Sequence, residues 1–248
     1  MSKVRKIIYI SFLVLSTSTF SFANSELNDP YENSNRAIHN FNDKVDTFIL
    51  RPVSVGYSFL PNPIEEGIAN ALQNVGEPIN FTNYIFQGNL KFAFKSLARF
   101  LINSTVGLAG LIDVADKMKL KKDDTDFGLT LKAWGANEGA YLVIPFFGPR
   151  SSRHLAGSIV DIIVNPLNYI LKDEDSLVRL SPTLLYSVSA RSGNMETIDN
   201  LKETSIDYYS SLKSIYYQNR FSNDKEDLKE IDLLDDFFQS LEEENTDE

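Results

Sequence analysis

One segment near the middle of the chain, residues 83–106, carries a hydrophobic arc that is unusually wide for a surface helix. A helix that packs one face on a soluble core shows an apolar stripe of about 100° or a little more. In this segment only one narrow basic ridge interrupts the arc, and it consists of Lys91, Lys95 and Arg99. The apolar arc is formed by Phe86, Leu90, Phe94, Leu97, Phe100 and Leu101.

Two interpretations of residues 83–106 stay open from the pattern alone. In the first, the helix lies in a membrane interface, with apolar side chains among acyl chains and Lys and Arg side chains extending toward lipid head groups. In the second, it is a central core helix that neighbouring helices bury. On the first interpretation, the candidate lipid- or membrane-contacting residues are Phe86, Leu90, Phe94, Leu97, Leu101, Lys91, Lys95 and Arg99.

The first 23 residues have the layout of an export signal. Basic residues precede a short apolar core at positions 7–15, and residues 21–23 place small side chains where signal peptidase reads them. We therefore predict that residues 1–23 are a signal peptide, with a retained N-terminal anchor as the alternative. No later segment approaches the ~20 consecutive apolar residues of a transmembrane helix.

Hydrophobic periodicity predicts helices over most of the remaining chain. Apolar residues recur every three or four positions over residues 38–49, and the Arg-Pro pair at 51–52 is expected to end that helix. A second helix is expected within residues 61–78, closed by its Gly-Glu-Pro sequence, and a long one over residues 184–219. The pattern therefore favours a mainly α fold.

The periodicity shifts toward two at residues 129–133, where apolar and polar residues alternate. Glycines punctuate residues 135–139, and a second alternating stretch follows to position 145. This pattern predicts a β-hairpin over residues 129–145. The hairpin is a candidate gate, with a simple structural hairpin as the alternative, and the candidate gate residues are Trp134, Gly135, Gly139 and Tyr141.

The formal net charge of −10 lies wholly in the last part of the chain. Residues 223–248 contain 12 acidic and two basic residues, so the rest of the chain is neutral. Because phosphate binding needs clustered Lys and Arg, a globally basic nucleic-acid binder is not expected. We interpret residues 223–248 as an acidic C-terminal tail that is either solvated or docked on a basic partner.

Catalytic and metal-binding patterns are missing from the sequence. There is no cysteine, only two histidines occur, and neither a nucleophile-elbow motif nor a nucleotide-binding loop is present. His154 has serines and Asp161 nearby, but ordinary surface residues are the better interpretation. Asp123, Asp124 and Asp126 lack the spacing of a calcium loop and are interpreted as a solvated acidic loop. We predict no enzymatic activity, no cofactor and no metal site.

Short motifs follow one another in order between Asp29 and Arg220. They are Asp29-Pro30-Tyr31-Glu32, Asn35-Arg36-Ala37, Asn40-Phe41-Asn42, Leu50-Arg51-Pro52-Val53, Glu77-Pro78, Gln87-Gly88, the run from Arg99 to Gly107, Gly110-Leu111-Ile112-Asp113-Val114-Ala115, Phe127-Gly128-Leu129-Thr130-Leu131, the run from Leu142 to Gly148, Tyr208-Tyr209 and Tyr217-Gln218-Asn219-Arg220. Their ordered combination resembles the MlaA/VacJ family.

The resemblance implies a ring-like bundle of amphipathic helices in the inner leaflet of the outer membrane, surrounding a polar channel. It implies removal of mislocalised phospholipid from the outer leaflet, together with a trimeric outer-membrane porin and a soluble periplasmic lipid carrier as partners. It implies no enzymatic activity. Many members are lipoproteins acylated on a cysteine; because this sequence has none, its membrane association is expected to rest on apolar helix faces or on a partner.

The expected organisation is therefore a signal peptide (1–23), an MlaA-like lipid-transport domain (24–222) and an acidic tail (223–248), with a mainly α, ring-like bundle and one β-hairpin. The expected function is passive transport of phospholipid through a polar channel that maintains lipid asymmetry. A soluble periplasmic lipid carrier or chaperone is the alternative. An esterase or phospholipase is a third and weaker hypothesis.

Overall fold

The structure, a computed structural model, describes residues 28–220. The predicted signal peptide (1–23) and acidic tail (223–248) lie outside the described residues. The helices are α1 (Glu32–Val45), a π-helical turn (Asp46–Leu50), α2 (Arg51–Tyr57), α3 (Asn62–Phe86), α4 (Leu90–Thr105), α5 (Val114–Lys117), α6 (Phe127–Ala133), α7 (Ser152–Val164), α8 (Pro166–Ile170), α9 (Ser176–Gly193), α10 (Met195–Thr204) and α11 (208–220), and the strands are β1 (Tyr141–Ile144) and β2 (Gly148–Ser151).

Side-chain caps begin several of these helices where the sequence offers Asn, Asp or Ser. The Asn89 side chain accepts a hydrogen bond from the Phe92 amide at the start of α4, and Ser151 does the same for His154 at the start of α7. Such caps satisfy backbone donors that the first helical turn leaves without a partner. Helix boundaries in this chain are therefore set by local chemistry as well as by hydrophobic spacing.

Prolines end fewer helices than the sequence pattern predicts. Helix α3 continues through Pro78 as far as Phe86, and the break comes instead at Gly88, whose φ is +77°. The predicted helix end at residues 51–52 is also wrong, because the chain passes through the π-helical turn and continues as α2. Tertiary packing overrides the local cost of a helical proline at these positions.

The predicted hairpin over residues 129–145 is displaced. Residues 127–133 form α6, because Asp126 caps the Leu129 amide and begins a helix. The antiparallel hairpin is formed by β1 and β2, with Tyr141 opposite Ser151 and Ile144 opposite Gly148. The predicted long helix over residues 184–219 is also interrupted, near Asn194 and at residues 205–207.

Helix α1 occupies the free edge of β1 in place of a third strand. The Asn35 amide group donates to the Tyr141 carbonyl and accepts from the Val143 amide, at 3.0 and 2.9 Å. Asn42, two helical turns later, donates to the Ile144 carbonyl and accepts from the Phe146 amide, at 3.0 and 2.8 Å. An unpaired strand edge is a template for unwanted pairing, and two asparagines on one helix face satisfy it here.

Contacts between elements close into a circuit. Helix α1 packs on β1, β1 pairs with β2, β2 contacts α7, α7 packs on α6, α6 contacts α3, α3 contacts α9, and α9 packs on α2, which continues α1. The expected fold class, mainly α with one small hairpin, is confirmed. Within residues 28–220, no helix has the length and apolar character needed to cross a membrane.

Candidate functional site

The distribution of polar and apolar side chains is inverted relative to an ordinary soluble domain. Within residues 28–220, eight hydrophobic side chains are buried, whereas fourteen polar or charged side chains are buried. In the same part of the chain, 34 large hydrophobic side chains are exposed. Because soluble proteins rarely expose large contiguous apolar surfaces, this exterior indicates contact with something apolar.

Helix α4 shows the inversion most clearly. Its outward face carries Leu90, Phe94 and Leu101, which are all exposed, and Phe94 is 62% exposed. Phe86, at the end of α3, is also exposed, and Leu97 is half-buried. These are the five apolar residues that the sequence analysis predicts as lipid-contacting, and that contact stays a prediction. The alternative of a wholly buried core helix is wrong.

The predicted basic ridge of α4 does not lie on the outer surface. The Arg99 side chain is 3% exposed, and its Nε donates to Glu77 Oε1 at 2.7 Å while Nη2 donates to Asp113 Oδ2 at 2.8 Å. Lys95 Nζ lies 2.5 Å from Asp123 Oδ2, with its side chain 16% exposed. Lys91, one turn before Lys95, is half-buried. The expectation that Arg99 reaches lipid head groups is therefore wrong.

A second polar network joins the π-helical turn to α9 and α10. Arg191 donates from Nε to Asp46 Oδ1 at 2.8 Å and from Nη2 to Asp199 Oδ1 at 2.5 Å. Lys202 Nζ lies 2.6 Å from Asp46 Oδ2. Burial alone raises the pKa of the Asp46 carboxyl, but hydrogen bonds from Arg191 and Lys202 outweigh burial and hold that pKa below its ordinary value.

Asp46, Arg191 and Lys202 line a cavity of about 360 Å³ between α1, the hairpin, α9, α10 and α11. Its polar wall is formed by His39, Asn42, Asp43, Asp46, Arg191 and Lys202. Its apolar wall includes Val143, Phe146, Ile198 and Leu212. Because the carboxylates and cations of the wall bind one another, the cavity presents polar groups of balanced charge beside an apolar surface. No sequence motif indicated it, since its walls come from distant segments.

A second concavity lies between α3 and α9 and is almost entirely apolar. Its volume is about 300 Å³, and Leu72, Val75, Pro182 and Leu185 contribute to its lining. Pro182 lies inside α9, and Ala71 of α3 is also among the residues that line this groove. The two concavities therefore offer different chemistry, one amphipathic and the other apolar.

The four predicted gate residues occupy different environments. Trp134 is exposed at the end of α6, and its Nε1–H donates to the Phe86 carbonyl at 2.9 Å. Gly135 and Gly139 have φ values of +91° and +76°, which L side chains rarely adopt. Tyr141 is fully buried among Tyr209 and other aromatic rings, so its predicted position at an interface is wrong.

The tip of the hairpin formed by β1 and β2 is an exposed apolar turn. Phe146 is 73% exposed although its φ is +66°, a strained conformation for an aromatic residue. Its ring packs edge-on against Phe41, with 5.2 Å between the ring centroids, and the next residue, Phe147, is also exposed. The Phe146 N–H donates a hydrogen bond to Asn42 Oδ1, which holds this turn. The sequence analysis did not predict the turn.

His154 is positioned by ionic and aromatic neighbours rather than by a nucleophile. Its Nδ1 lies 3.2 Å from the Tyr216 hydroxyl, and Asp126, 3.8 Å from Nε2, is bound by Arg220. Ser151 Oγ accepts the His154 amide as a helix cap. Burial is the main cause that lowers the pKa of His154 to about 4, so the ring is neutral at neutral pH.

Comparison with known protein families gives one match that covers most of the chain. A family model described as MlaA lipoprotein matches residues 27–223. The matched range contains every residue that the structure describes, from position 28 to position 220. The inverted surface and the two cavities therefore all lie within the matched range.

Curated relatives align over three quarters or more of their own length. The intermembrane phospholipid transport system lipoprotein MlaA of Haemophilus influenzae is 34% identical over 200 residues, which is 79% of this chain and 78% of the relative. The Escherichia coli K12 protein of the same description is 31% identical over 77% of this chain and 76% of its own length. An uncharacterized protein of Rickettsia typhi is 35% identical, over 79% of this chain and 77% of its own length.

One solved structure has the same fold. It comes from work described as the structural basis for maintenance of bacterial outer membrane lipid asymmetry. The TM-score is 0.68 at 29% identity, and the match covers 77% of this chain and 96% of the other.

Proposed function

Because this chain belongs to the MlaA lipoprotein family, we propose that it transports phospholipid at the bacterial outer membrane and removes mislocalised phospholipid from the outer leaflet. The observation that carries the proposal is the inverted surface: exposed large hydrophobic side chains surround an interior held together by buried polar networks. A protein with this distribution is stable where its exterior meets acyl chains and its interior meets polar groups.

The outer faces of α4, α7 and α9 supply the apolar exterior. Ile159, Ile162 and Ile163 of α7 are exposed, as are Leu177 and Leu184 of α9. Each Phe, Leu or Ile side chain that moves from water into hydrocarbon contributes roughly 1.5–3 kcal/mol. Several such residues on each of three helices hold the protein in one leaflet without a spanning segment.

The amphipathic cavity is the compartment proposed for the lipid head group. An isolated charge in a medium of low dielectric constant costs tens of kcal/mol in the Born limit. The paired charges of Asp46, Arg191 and Lys202 replace part of the head group's hydration, while its acyl chains remain in contact with Phe146 and the outer helices. Lipid that moves down its own gradient needs no energy source in the protein.

The gate proposal is narrowed to Trp134 and Gly135, because Arg153 holds both Ala136 and Glu138. Tyr141, at the other end of the predicted gate, is fixed because α1 and β2 hold both edges of β1. Trp134, in contrast, is tied to α3 by one side-chain hydrogen bond at the surface. We keep phospholipid as the cargo and propose a porin trimer and a periplasmic lipid carrier as partners.

The test replaces outward apolar residues of α4 with charge. Phe94→Glu and Leu101→Glu should release the protein from outer-membrane fractions and raise the outer-leaflet phospholipid that an impermeant amine-reactive label detects. The matched control carries Thr197→Glu and Asn200→Glu on exposed polar positions of α10. If the α4 variants stay in the outer membrane and leave lipid asymmetry intact, the proposal fails. Release of the unaltered protein with the periplasmic fraction would support the soluble carrier instead.

A further inference from the structure

A basic segment, residues 117–122, lies between α5 and α6. Lys117, Lys119 and Lys121 are exposed, and within residues 28–220 none of these three forms an ion pair. Lys122 is the exception, because its Nζ lies 2.6 Å from Asp124 Oδ1. The segment therefore presents three cations to whatever covers this surface.

Nearby acidic residues do not cancel this charge. The Asp123 carboxylate is bound to Lys95 and that of Asp124 to Lys122. Within residues 112–126 only Asp116 is an exposed acid without an ion pair, so this stretch of the surface keeps a surplus of two positive charges. Two exposed apolar side chains, Ile112 and Met118, flank α5 beside these lysines. The surface fits a partner that is both acidic and amphipathic.

The end of α11 brings the C-terminal part of the chain next to this surface. Arg220, the last described residue, donates to both carboxylate oxygens of Asp126, at 2.6 and 2.9 Å. Asp126 follows Lys122 by four residues, and an extended chain spans at most about 3.6 Å per residue, so the two Cα atoms lie within about 14 Å. The four residues after Arg220 can cover a similar distance, which places the first tail carboxylates within reach.

We propose that the acidic C-terminal segment, residues 223–248, folds back onto the basic segment of the same chain and shields it from anionic lipid head groups. The C-terminal segment carries 12 acidic and two basic residues, and its hydrophobic residues recur at helical spacing from Leu228 to Leu241. Both its charge and its apolar positions complement the lysines and the exposed Ile112 and Met118.

Because the two segments belong to the same chain, weak contacts are sufficient for the acidic segment to bind the basic segment. Exposed ion pairs contribute about 0–1 kcal/mol each, so a free acidic peptide would bind this surface poorly. A segment tethered a few residues away has an effective concentration in the millimolar range. The family match ends at residue 223, where the acidic segment begins, whereas the basic segment lies inside the matched range. The proposed contact does not rest on the transport proposal.

The first experiment uses the absence of cysteine in the chain. Full-length protein with Lys121→Cys and Asp227→Cys is oxidised in detergent, and intramolecular disulfide formation is followed by gel mobility. The control pair is Lys172→Cys with Asp227→Cys, because Lys172 is an exposed lysine in the loop between α8 and α9. We expect the first pair to form its disulfide at least five-fold faster at low salt, and the difference to shrink at 1 M salt. Equal rates would overturn the proposal.

The second experiment tests the shielding itself. The full chain and a variant that ends at residue 222 are floated with phosphatidylglycerol vesicles and with phosphatidylcholine vesicles. We expect the shortened chain to bind phosphatidylglycerol vesicles at least three-fold more tightly, with no difference on phosphatidylcholine, and Lys117→Glu with Lys119→Glu to remove that gain. Equal binding of both chains to the anionic vesicles would overturn shielding and leave the basic segment as a direct membrane contact.

Discussion

Arg99 on α4 places its Nε 2.7 Å from Oε1 of Glu77 on α3, and the two side chains are only 3% and 1% exposed. The same guanidinium binds Asp113 and the Leu120 carbonyl, so one side chain ties two helices to the loop that follows them. Burial raises the pKa of the Glu77 carboxyl, and the hydrogen bond from Arg99 offsets this only in part. The ion pair is thus a buried link between α3 and α4 in a protein that exposes many apolar side chains.

Removing one partner of the Arg99–Glu77 ion pair should destabilise the fold strongly. Glu77→Gln leaves the Arg99 charge buried with less compensation, and loss of one member of a buried pair costs about 3–5 kcal/mol. The double variant Glu77→Leu with Arg99→Met removes both charges of the pair and should recover part of that loss; Asp113 and the Leu120 carbonyl lose their partner in this variant as well. Thermal unfolding, followed by circular dichroism in detergent, measures the stability of the single and of the double variant. A double variant less stable than Glu77→Gln would contradict this account.

The two faces of α4 should respond separately to substitution. Lys95→Gln should lower the unfolding temperature, because Asp123 loses its 2.5 Å partner, and should leave vesicle binding unchanged. Phe94→Ser should do the opposite, because its side chain points outward and makes no contribution to the buried network. Flotation and unfolding are measured on the same preparations. If each substitution changed both the unfolding temperature and vesicle binding, the assignment of the two faces would be wrong.

Asn35 should contribute more to stability than Asn42, although both satisfy the edge of β1. Asn35→Ala leaves the buried Val143 amide and Tyr141 carbonyl without this partner, which costs about 1–3 kcal/mol. At Asn42 water can replace the side chain, because the Phe146 turn is exposed. Hydrogen exchange at the Val143 amide should accelerate in Asn35→Ala and stay near the unaltered rate in Asn42→Ala. No acceleration in Asn35→Ala would show that the helix does not protect the strand edge.

Stability should fall as the pH drops through the titration range of His154. Its pKa is about 4 in the folded chain against 6.5 for the unperturbed ring, so below pH 6.5 the unfolded state binds more protons than the folded state. The contribution of the neutral ring to the free energy of unfolding is complete above pH 6.5. It is lost progressively down to pH 4, a change of roughly 3 kcal/mol. The unfolding temperature of the unaltered chain should therefore fall relative to that of His154→Gln as the pH drops from 6.5 to 4. Parallel curves would contradict the depressed pKa.

Trp134 offers a direct test of the proposed gate. Trp134→Phe keeps an aromatic ring beside Phe86 and Phe127 but removes the N–H that donates to the Phe86 carbonyl. If Trp134 and Gly135 move during transport, loss of this hydrogen bond should increase phospholipid transfer in reconstituted vesicles. Trp134→Ala removes ring packing as well and serves as the comparison. If Trp134→Phe transferred phospholipid at the rate of the unaltered chain, the gate proposal would be wrong.

Local patterns were sufficient for the helical content and for the family. Periodic apolar residues over residues 83–106 predicted one helix, and the structure has α4 over Leu90–Thr105, with residues 83–86 forming the end of α3 and Gly88 breaking the helix between them. The ordered short motifs identified the MlaA family, because both signals depend on neighbours along the chain. The same reasoning misplaced the hairpin, since apolar alternation over five residues fits both a strand and one helical turn and a half. The Asp126 cap decided between them.

The sequence by itself determined that α4 would be helical and would have one apolar and one basic side. Only the tertiary structure decided that the apolar side lies outside and that Arg99 lies inside, because that choice depends on Glu77 and Asp113, which approach from other parts of the fold. The amphipathic cavity has the same origin, since Asp46, Arg191 and Lys202 meet only after the chain closes its circuit. A hydrophobic pattern predicts the period of a helix, whereas the direction in which its apolar face points depends on contacts with residues that are distant in the sequence.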